Sequence, residues 1–354
     1  MATFHARDFD MARLEPATRA YAARVAGVQR DAEAAALALG APGAWERFHI
    51  RNRGRFYHPR YFVTAAFPAL TALGPGSRLL EVGCGNGSNA PLLEQLPHTQ
   101  VFMSDVAPAA LDACAAQPLV AAAGARAQLF LWDVATGAAP AAPSPAAAMT
   151  RGAAPTPLAA STSAALSPPH AWPSQPPAAM AGGMNAAVCM FVLSALHPRD
   201  HARAVASLAA TLRPGGLLCV RDHGHGDCAE LRVDADAGPA PALCAVADDA
   251  EAPEPAPAAA PFARKPRRRG VDGGGGERAR ILAPRLHERG DGTLAYFFTV
   301  EELKALLLAA GLVVDTCVYH TIARGNRKTG AMMERVFVHA EARRREEASG
   351  GGVG

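Results

Sequence analysis

Aromatic residues are scarce in this chain. Phe, Tyr and Trp supply 6% of its 354 residues. Half of the chain is hydrophobic, but much of that is alanine, which adds little to a core. A run of adjacent aromatics such as Tyr296-Phe297-Phe298 therefore stands out. Charge of one sign is lacking as well. Lys and Arg number 35 against 32 Asp and Glu, a net charge of +3. That excludes a protein coated in phosphate contacts and leaves room for a local basic patch. Arginine greatly outnumbers lysine. The seven cysteines are an odd number with no CxxC pair, which excludes a zinc ribbon or a disulfide framework and fits a reducing compartment. No run of about 18 apolar residues suggests a membrane span. The first 25 residues have no apolar core of a secretory signal, and Asp8, Asp10 and Glu15 argue against a transit peptide.

Two stretches lack any sustained apolar period. Residues 138–183 and 234–284 are rich in Ala, Pro and Gly, and both read as disordered insertions. The basic run Lys265 to Arg269 inside the second reads as a solvated loop, with a nuclear signal as the other option. What remains is the size of one α/β domain with N-terminal helices. The expected organisation is an N-terminal helical segment over residues 1–70, a catalytic-type domain over 71–341 and a disordered tail over 342–354.

With the insertions set aside, strands and helices alternate. "SRLLEVGCG", "TQVFMSDVA", "AQLFLWDVA", "NAAVCMFVLSAL" and "LLCVRDHG" read as strands. "NAPLLEQLP", "APAALDACAAQ" and "PRDHARAVASLAATLRPGG" read as helices. Thr299 with Glu302 three residues on is a capping box that starts a further helix. "VVDTCVYHTIA" and "MERVFVHAEA" flank a short polar loop and look antiparallel. Near-continuous apolar strands between helices mean a parallel sheet covered on both faces. Ligands in such sheets sit at the carboxyl ends of the strands, where strand order reverses.

The first strand ends in "EVGCGNGS". Gly83, Gly85 and Gly87 permit a tight turn and close approach to a ligand. Position 88 is serine, so this is not the dinucleotide fingerprint, and no Lys-Ser/Thr ending makes it a P-loop. Glu81 on the strand would repel a pyrophosphate and suits a cationic ligand. Asp105 ends the second strand 22 residues after Gly83, where a carboxylate can accept both ribose hydroxyls of a nucleoside. Asp133 ends the third, placed to accept from an adenine amino group. Three acids at successive strand ends around a GxGxG loop resemble the class I S-adenosylmethionine-dependent methyltransferases.

The resemblance narrows with "WERFHIRNRGRFYHPRYFVTAAFPAL", "MFVLSALHP", "LRPGGLLCVRDHGHGD", "RGDGTLAYFFTVEEL" and "NRKTG…ERVF". In that order they look like the methyltransferase-like family that makes 3-methylcytidine in the tRNA anticodon loop. The resemblance covers residues 45–133, 184–233 and 285–341. It implies an α/β fold of class I methyltransferase (Rossmann-like) type. Its seven-stranded sheet would be mostly parallel with an antiparallel C-terminal hairpin, under an N-terminal helical lid. It implies S-adenosyl-L-methionine as cofactor, tRNA as substrate and no metal. An accessory protein such as an aminoacyl-tRNA synthetase, and a cytoplasmic rather than nuclear or organellar home, stay open. Trp45 and His49 would close the lid, and Gly83, Gly85, Asp105, Asp133, Val134 and Met190 would line the donor pocket. His49 stands where the family usually has tyrosine, and Asp222-His223-Gly224 where it has Asp-Tyr-Gly.

Methyl transfer to cytosine N3 needs no prior deprotonation, and the product base is cationic. Alignment, a dry pocket and a carboxylate are the requirements. Asp222 is the expected carboxylate, with Arg221 on the opposite face because strand neighbours alternate. "DHGHGD" offers His223, His225 and Asp227 as an alternative metal set. Arg289-Gly290-Asp291 spells an adhesion tripeptide, yet it precedes a helix that closes the sheet. Arg289 and Asp291 are expected to fix the turn or touch RNA, and Tyr296 or Phe297 to stack on the target base. Arg327 and Lys328, with Arg324, and Arg60 with Arg51, Arg53 and Arg55, would form a basic rim for phosphates. A methyltransferase for a small molecule or protein, or a non-catalytic RNA-binding subunit, are the competing functions.

Overall fold

The computed structural model describes residues 9–26, 42–53, 57–136, 172–174, 176–232, 279–325 and 332–346. Seven strands form the main sheet in the order β3-β2-β1-β4-β5-β10-β9. Here β1 is Arg78–Val82, β2 Gln100–Asp105, β3 Ala127–Leu131, β4 Met184–Met190, β5 Leu212–His223, β9 Leu312–Gly325 and β10 Met332–Arg344. The first five are parallel, and β10 runs antiparallel to both β5 and β9. This is the sheet the apolar runs predict.

Burial on both faces explains the lack of alternation in these strands. Leu80, Val82, Phe102, Ala187, Leu218 and Val220 face one core cluster, and Leu79, Val101, Met103, Ala186, Val188 and Leu217 face the other. Neighbours along a strand point to opposite faces, so a sheet covered twice has no polar phase. Helix α4 (Pro198–Thr211) covers the first face, where α5 (Val300–Ala309) also packs. Helix α3 (Pro108–Ala115), with the short helix Val63–Ala66, covers the second. Two N-terminal helices, α1 (Glu15–Val25) and α2 (Pro42–Asn52), precede the sheet. The capping box of α5 forms as predicted: Thr299 Oγ1 accepts from the Glu302 amide at 3.2 Å, and Glu302 Oε2 from the Thr299 amide at 3.1 Å.

A second sheet, β6-β7-β8, is built from Arg280–Ala283, Leu286–Glu288 and Leu294–Tyr296. Its first strand lies within the stretch read as insertion, and so do the 3-10 turn Ala178–Met180 and its fully buried Met180. The turn 178–180 and the strand Arg280–Ala283 are therefore fold, not insertion, because Met180, Ile281 and Leu282 are buried. Lys265 to Arg269 and most of both insertions lie outside the described residues. Strands β1 and β4 are neighbours, while β2 and β3 lie on the far side of β1. Strand order reverses between β1 and β4, which locates a crevice at their carboxyl ends. No helix among the described residues is long and apolar enough to cross a membrane.

Candidate active site

The turn after β1 puts Gly83, Gly85 and Gly87 at φ of 64°, 54° and 79°, the left-handed region that glycine tolerates. At Gly83 a Cβ would collide with Cγ2 of Val192, so the first loop and the segment after β4 are keyed together. At Gly85 a Cβ would meet His49 Cε1 and Tyr57 Cδ2, each at 3.7 Å, and would intrude into an open cavity. That cavity encloses about 720 Å³ of space between atoms, part of it open to solvent. Trp45, His49, Gly83, Gly85, Asp105, Asp133, Val134 and Met190 all line it, as does Arg60.

The acids are held by backbone. Asp105 Oδ2 accepts from the Gly85 amide at 2.9 Å and Oδ1 from the Ala107 amide at 3.0 Å. Asp133 Oδ1 accepts from the Ala135 amide at 2.9 Å. Each carboxylate oxygen keeps a lone pair for a ligand. Glu81 lies deeper, 1% exposed, and neither oxygen has a partner within hydrogen-bond distance. Burial pushes its carboxyl up to about 8; neighbouring Asn89 and Arg60 pull it back, and Asp105 adds to the rise. A buried carboxylate without a partner is costly, and it favours a cation arriving nearby.

Helix α2 forms the lid. Its Trp45 and His49 face the cavity, and Glu46 Oε2 accepts from the Ala109 amide at 3.0 Å, tying α2 to the first turn of α3. Burial holds His49 below the usual imidazole range, against the pull of Asp105 and Glu46. Arg51 and Arg53 are exposed at the end of α2. Arg60 is buried, with its guanidinium 5.6 Å from the Tyr57 ring centroid and 5.1 Å from that of Phe191. Arg55, Arg327 and Lys328 lie outside the described residues.

Asp222 and Arg221 do take opposite faces. Arg221 Nη1 bonds His320 Nδ1 at 3.1 Å and stands over Phe337. Asp222 is fully buried and does not line the cavity, which corrects the expectation of a carboxylate beside the reacting base. Its Oδ2 accepts from the Ser194 amide at 3.0 Å and its Oδ1 from the His223 amide at 2.8 Å. Burial raises it to about 6 against these hydrogen bonds and the nearby Arg289. Asp222 thus holds the segment after β4, and that segment forms a cavity wall.

The tripeptide forms the β7–β8 turn. Asp291 Oδ1 accepts from the Thr293 amide at 3.0 Å and from its hydroxyl at 2.6 Å, so Asp291 fixes the turn. Arg289 folds inward, to the Leu294 carbonyl and to His223 Nε2, each at 3.1 Å. Tyr296 does not face a base. It is buried in the core cluster, 5.0 Å from the His201 ring, with its hydroxyl donating to Glu302. Phe297 and Phe298 are buried as well. Burial excludes all three from stacking on an incoming base. His225 pairs with Glu230 and Asp227 with Arg335. Sequence reasoning missed Tyr57 and Phe191. Both stand in quoted segments, but nothing local marks them as cavity walls.

Comparison with known proteins agrees with this architecture. The tRNA N(3)-methylcytidine methyltransferase Mettl2 of Drosophila melanogaster is 25% identical over 313 residues, 86% of this chain and 71% of that protein. The tRNA N(3)-cytidine methyltransferase METTL6 of Rattus norvegicus is 25% identical over 307 residues, 85% of this chain and 78% of that one. The trm140 enzyme of Schizosaccharomyces pombe, also named a tRNA N(3)-methylcytidine methyltransferase, is 24% identical over 266 residues, 73% of this chain and 60% of its own. The methyltransferase domain family matches residues 52–316, from the end of the lid helix into β9. The chain belongs to the methyltransferase domain family.

Proposed function

We propose that this protein is an S-adenosylmethionine-dependent tRNA methyltransferase that forms 3-methylcytidine in the anticodon loop. One observation carries the reading. Relatives of that named activity align along most of the chain, and the aligned region includes an open cavity lined by Asp105 and Asp133, with Glu81 buried beneath the glycine turn that also lines it. The residues fit the donor. Gly85 leaves room that a side chain would fill, Asp105 and Asp133 keep lone pairs for ribose and adenine, and unpartnered Glu81 suits a cation. The bound donor supplies an electrophilic methyl on sulfonium.

The chain's own residues do the rest. Trp45 and His49 roof the cavity and exclude water, which strengthens electrostatics inside it. Met190 and Val134 supply apolar walls. Asp222 is a positioning residue: it fixes the Ser194 amide and with it the wall. Alignment is the main catalytic factor, because N3 of neutral cytosine already carries its lone pair. Arg51, Arg53 and Arg60, with Arg327 and Lys328, are proposed phosphate contacts; Arg289 and Asp291 shape the turn beside His223. We place the enzyme in the cytoplasm and treat a synthetase partner as a component to be tested by adding it.

The test is nucleoside mass spectrometry of tRNA incubated with the enzyme and labelled donor. Labelled 3-methylcytidine is expected, and its absence, with or without added synthetase, overturns the reading. Filter binding of total tRNA should weaken steeply as salt rises.

A further inference from the structure

Part of the cavity wall is aromatic. There the ring of Tyr57 and the ring of Phe191 lie about the guanidinium of Arg60, at 5.6 Å and 5.1 Å. Both rings line the same cavity as the glycine loop. Tyr57 reaches within 3.7 Å of where a Cβ on Gly85 would sit, and Phe191 lies between Met190 and Val192, which both face the donor side.

The backbone at Phe191 is unusual. Its φ is 60°, a region that bulky side chains rarely adopt, and strain of this kind persists only where surrounding bonds enforce it. Those bonds are present. The Phe191 amide donates to the Arg221 carbonyl at 2.9 Å, the Ala195 amide to the Val192 carbonyl at 3.0 Å, and the Ser194 amide to Asp222. His223 at 5.2 Å and Phe337 at 5.7 Å back the ring. The fold thus holds one aromatic face toward the cavity, over which a planar cation already stands.

Methyl transfer moves charge from the donor onto the base. The N3 lone pair forms the new N–CH3 bond, the pair of the CH3–S bond leaves with sulfur, and the positive charge passes from sulfur to the base. We infer that Tyr57 and Phe191 form the acceptor subsite, where a planar pyrimidine displaces the Arg60 guanidinium and its developing positive charge is stabilised by the Phe191 ring face. The guanidinium is a planar cation of comparable thickness, so its seat shows what the slot accepts. Aromatic faces attract cations more strongly when desolvated, and the Arg60 side chain between these rings is buried. The inference rests on the proposed function and assigns the acceptor end of the same site.

Steady-state methylation of transcript tRNA by wild type, Phe191→Leu, Phe191→Trp and Tyr57→Leu tests it, with calorimetric titration of S-adenosylhomocysteine as control. Phe191→Leu should keep donor affinity within twofold and lower kcat about tenfold with a small change in KM, because the ring acts on charge that develops in the transition state. Phe191→Trp should retain at least half of kcat. A Phe191→Leu enzyme within twofold of wild-type kcat, or equal losses in the Leu and Trp variants, overturns the inference. If Phe191→Leu does not fold, Tyr57→Leu decides by the same thresholds. A wild-type enzyme that makes no 3-methylcytidine instead defeats the proposed function.

Discussion

Glu81 gives the sharpest prediction, because its surroundings turn a mutation in a functional site into a stabilising one. Its carboxyl moves from 4.5 in the unfolded chain to about 8 in the fold. At about 1.36 kcal/mol per pH decade, ionising it in place costs about 5 kcal/mol. A raised pKa contributes stability that is complete below the unfolded value and is lost as pH rises through the folded one. Between about pH 5.5 and about pH 8.5, wild type should therefore lose about 3 kcal/mol from this group alone. Glu81→Gln has the same shape and no proton to lose. Urea unfolding of both proteins across that range should show the variant gaining about 3 kcal/mol on wild type as pH rises. Saturating S-adenosylmethionine should shrink that gain, since a cation near Glu81 favours its ionised form. If the two stability curves run parallel within about 0.5 kcal/mol, Glu81 has a partner that the geometry omits, and the reasoning fails.

Gly83→Ala should destabilise by about 1–3 kcal/mol in thermal melts and abolish donor binding in calorimetry, because φ of 64° and the Val192 methyl both oppose a side chain. Thr299→Ala removes the N-cap of α5 and should cost about 1 kcal/mol without touching donor affinity. Asp227→Ala leaves the buried Arg335 guanidinium without its carboxylate, 2.8 Å away, and should cost about 3–5 kcal/mol by urea unfolding. Asp222→Ala strips acceptors from the Ser194 and His223 amides; a loss of about 1–3 kcal/mol is expected, with methylation falling while tRNA affinity in filter binding is retained.

What could be read from the sequence was what local pattern determines. The continuous apolar runs of β1, β2 and β4, the glycine turn, and the 22-residue step from Gly83 to Asp105 all survive in the fold, because each depends on residues close in the chain. Arg221 and Asp222 separated as strand alternation requires. The misses are tertiary. Tyr296 offered an aromatic ring beside a polar turn, but pairing of β7 with β8 turns it into the core. Asp222 lies near the end of β5, yet its carboxylate is taken up by the segment after β4, where it accepts from the Ser194 amide. The strand Arg280–Ala283 follows a low-complexity stretch, and its four residues are too few for a periodic signal. Phe191 owes its place to a left-handed turn that no glycine announced.

Gly83 and Val192, which follow the neighbouring strands β1 and β4, meet like a notch and its peg. Side-chain volume at one position is thus inversely tied to volume at the other, although 109 positions separate them along the chain. Trimming Val192 to alanine would relieve the crowding in a Gly83→Ala background but leave the dihedral penalty, so suppression should be partial. Any lineage carrying a bulkier turn residue has to have carved space from the opposite wall, and the two ends of the crevice would drift as one unit.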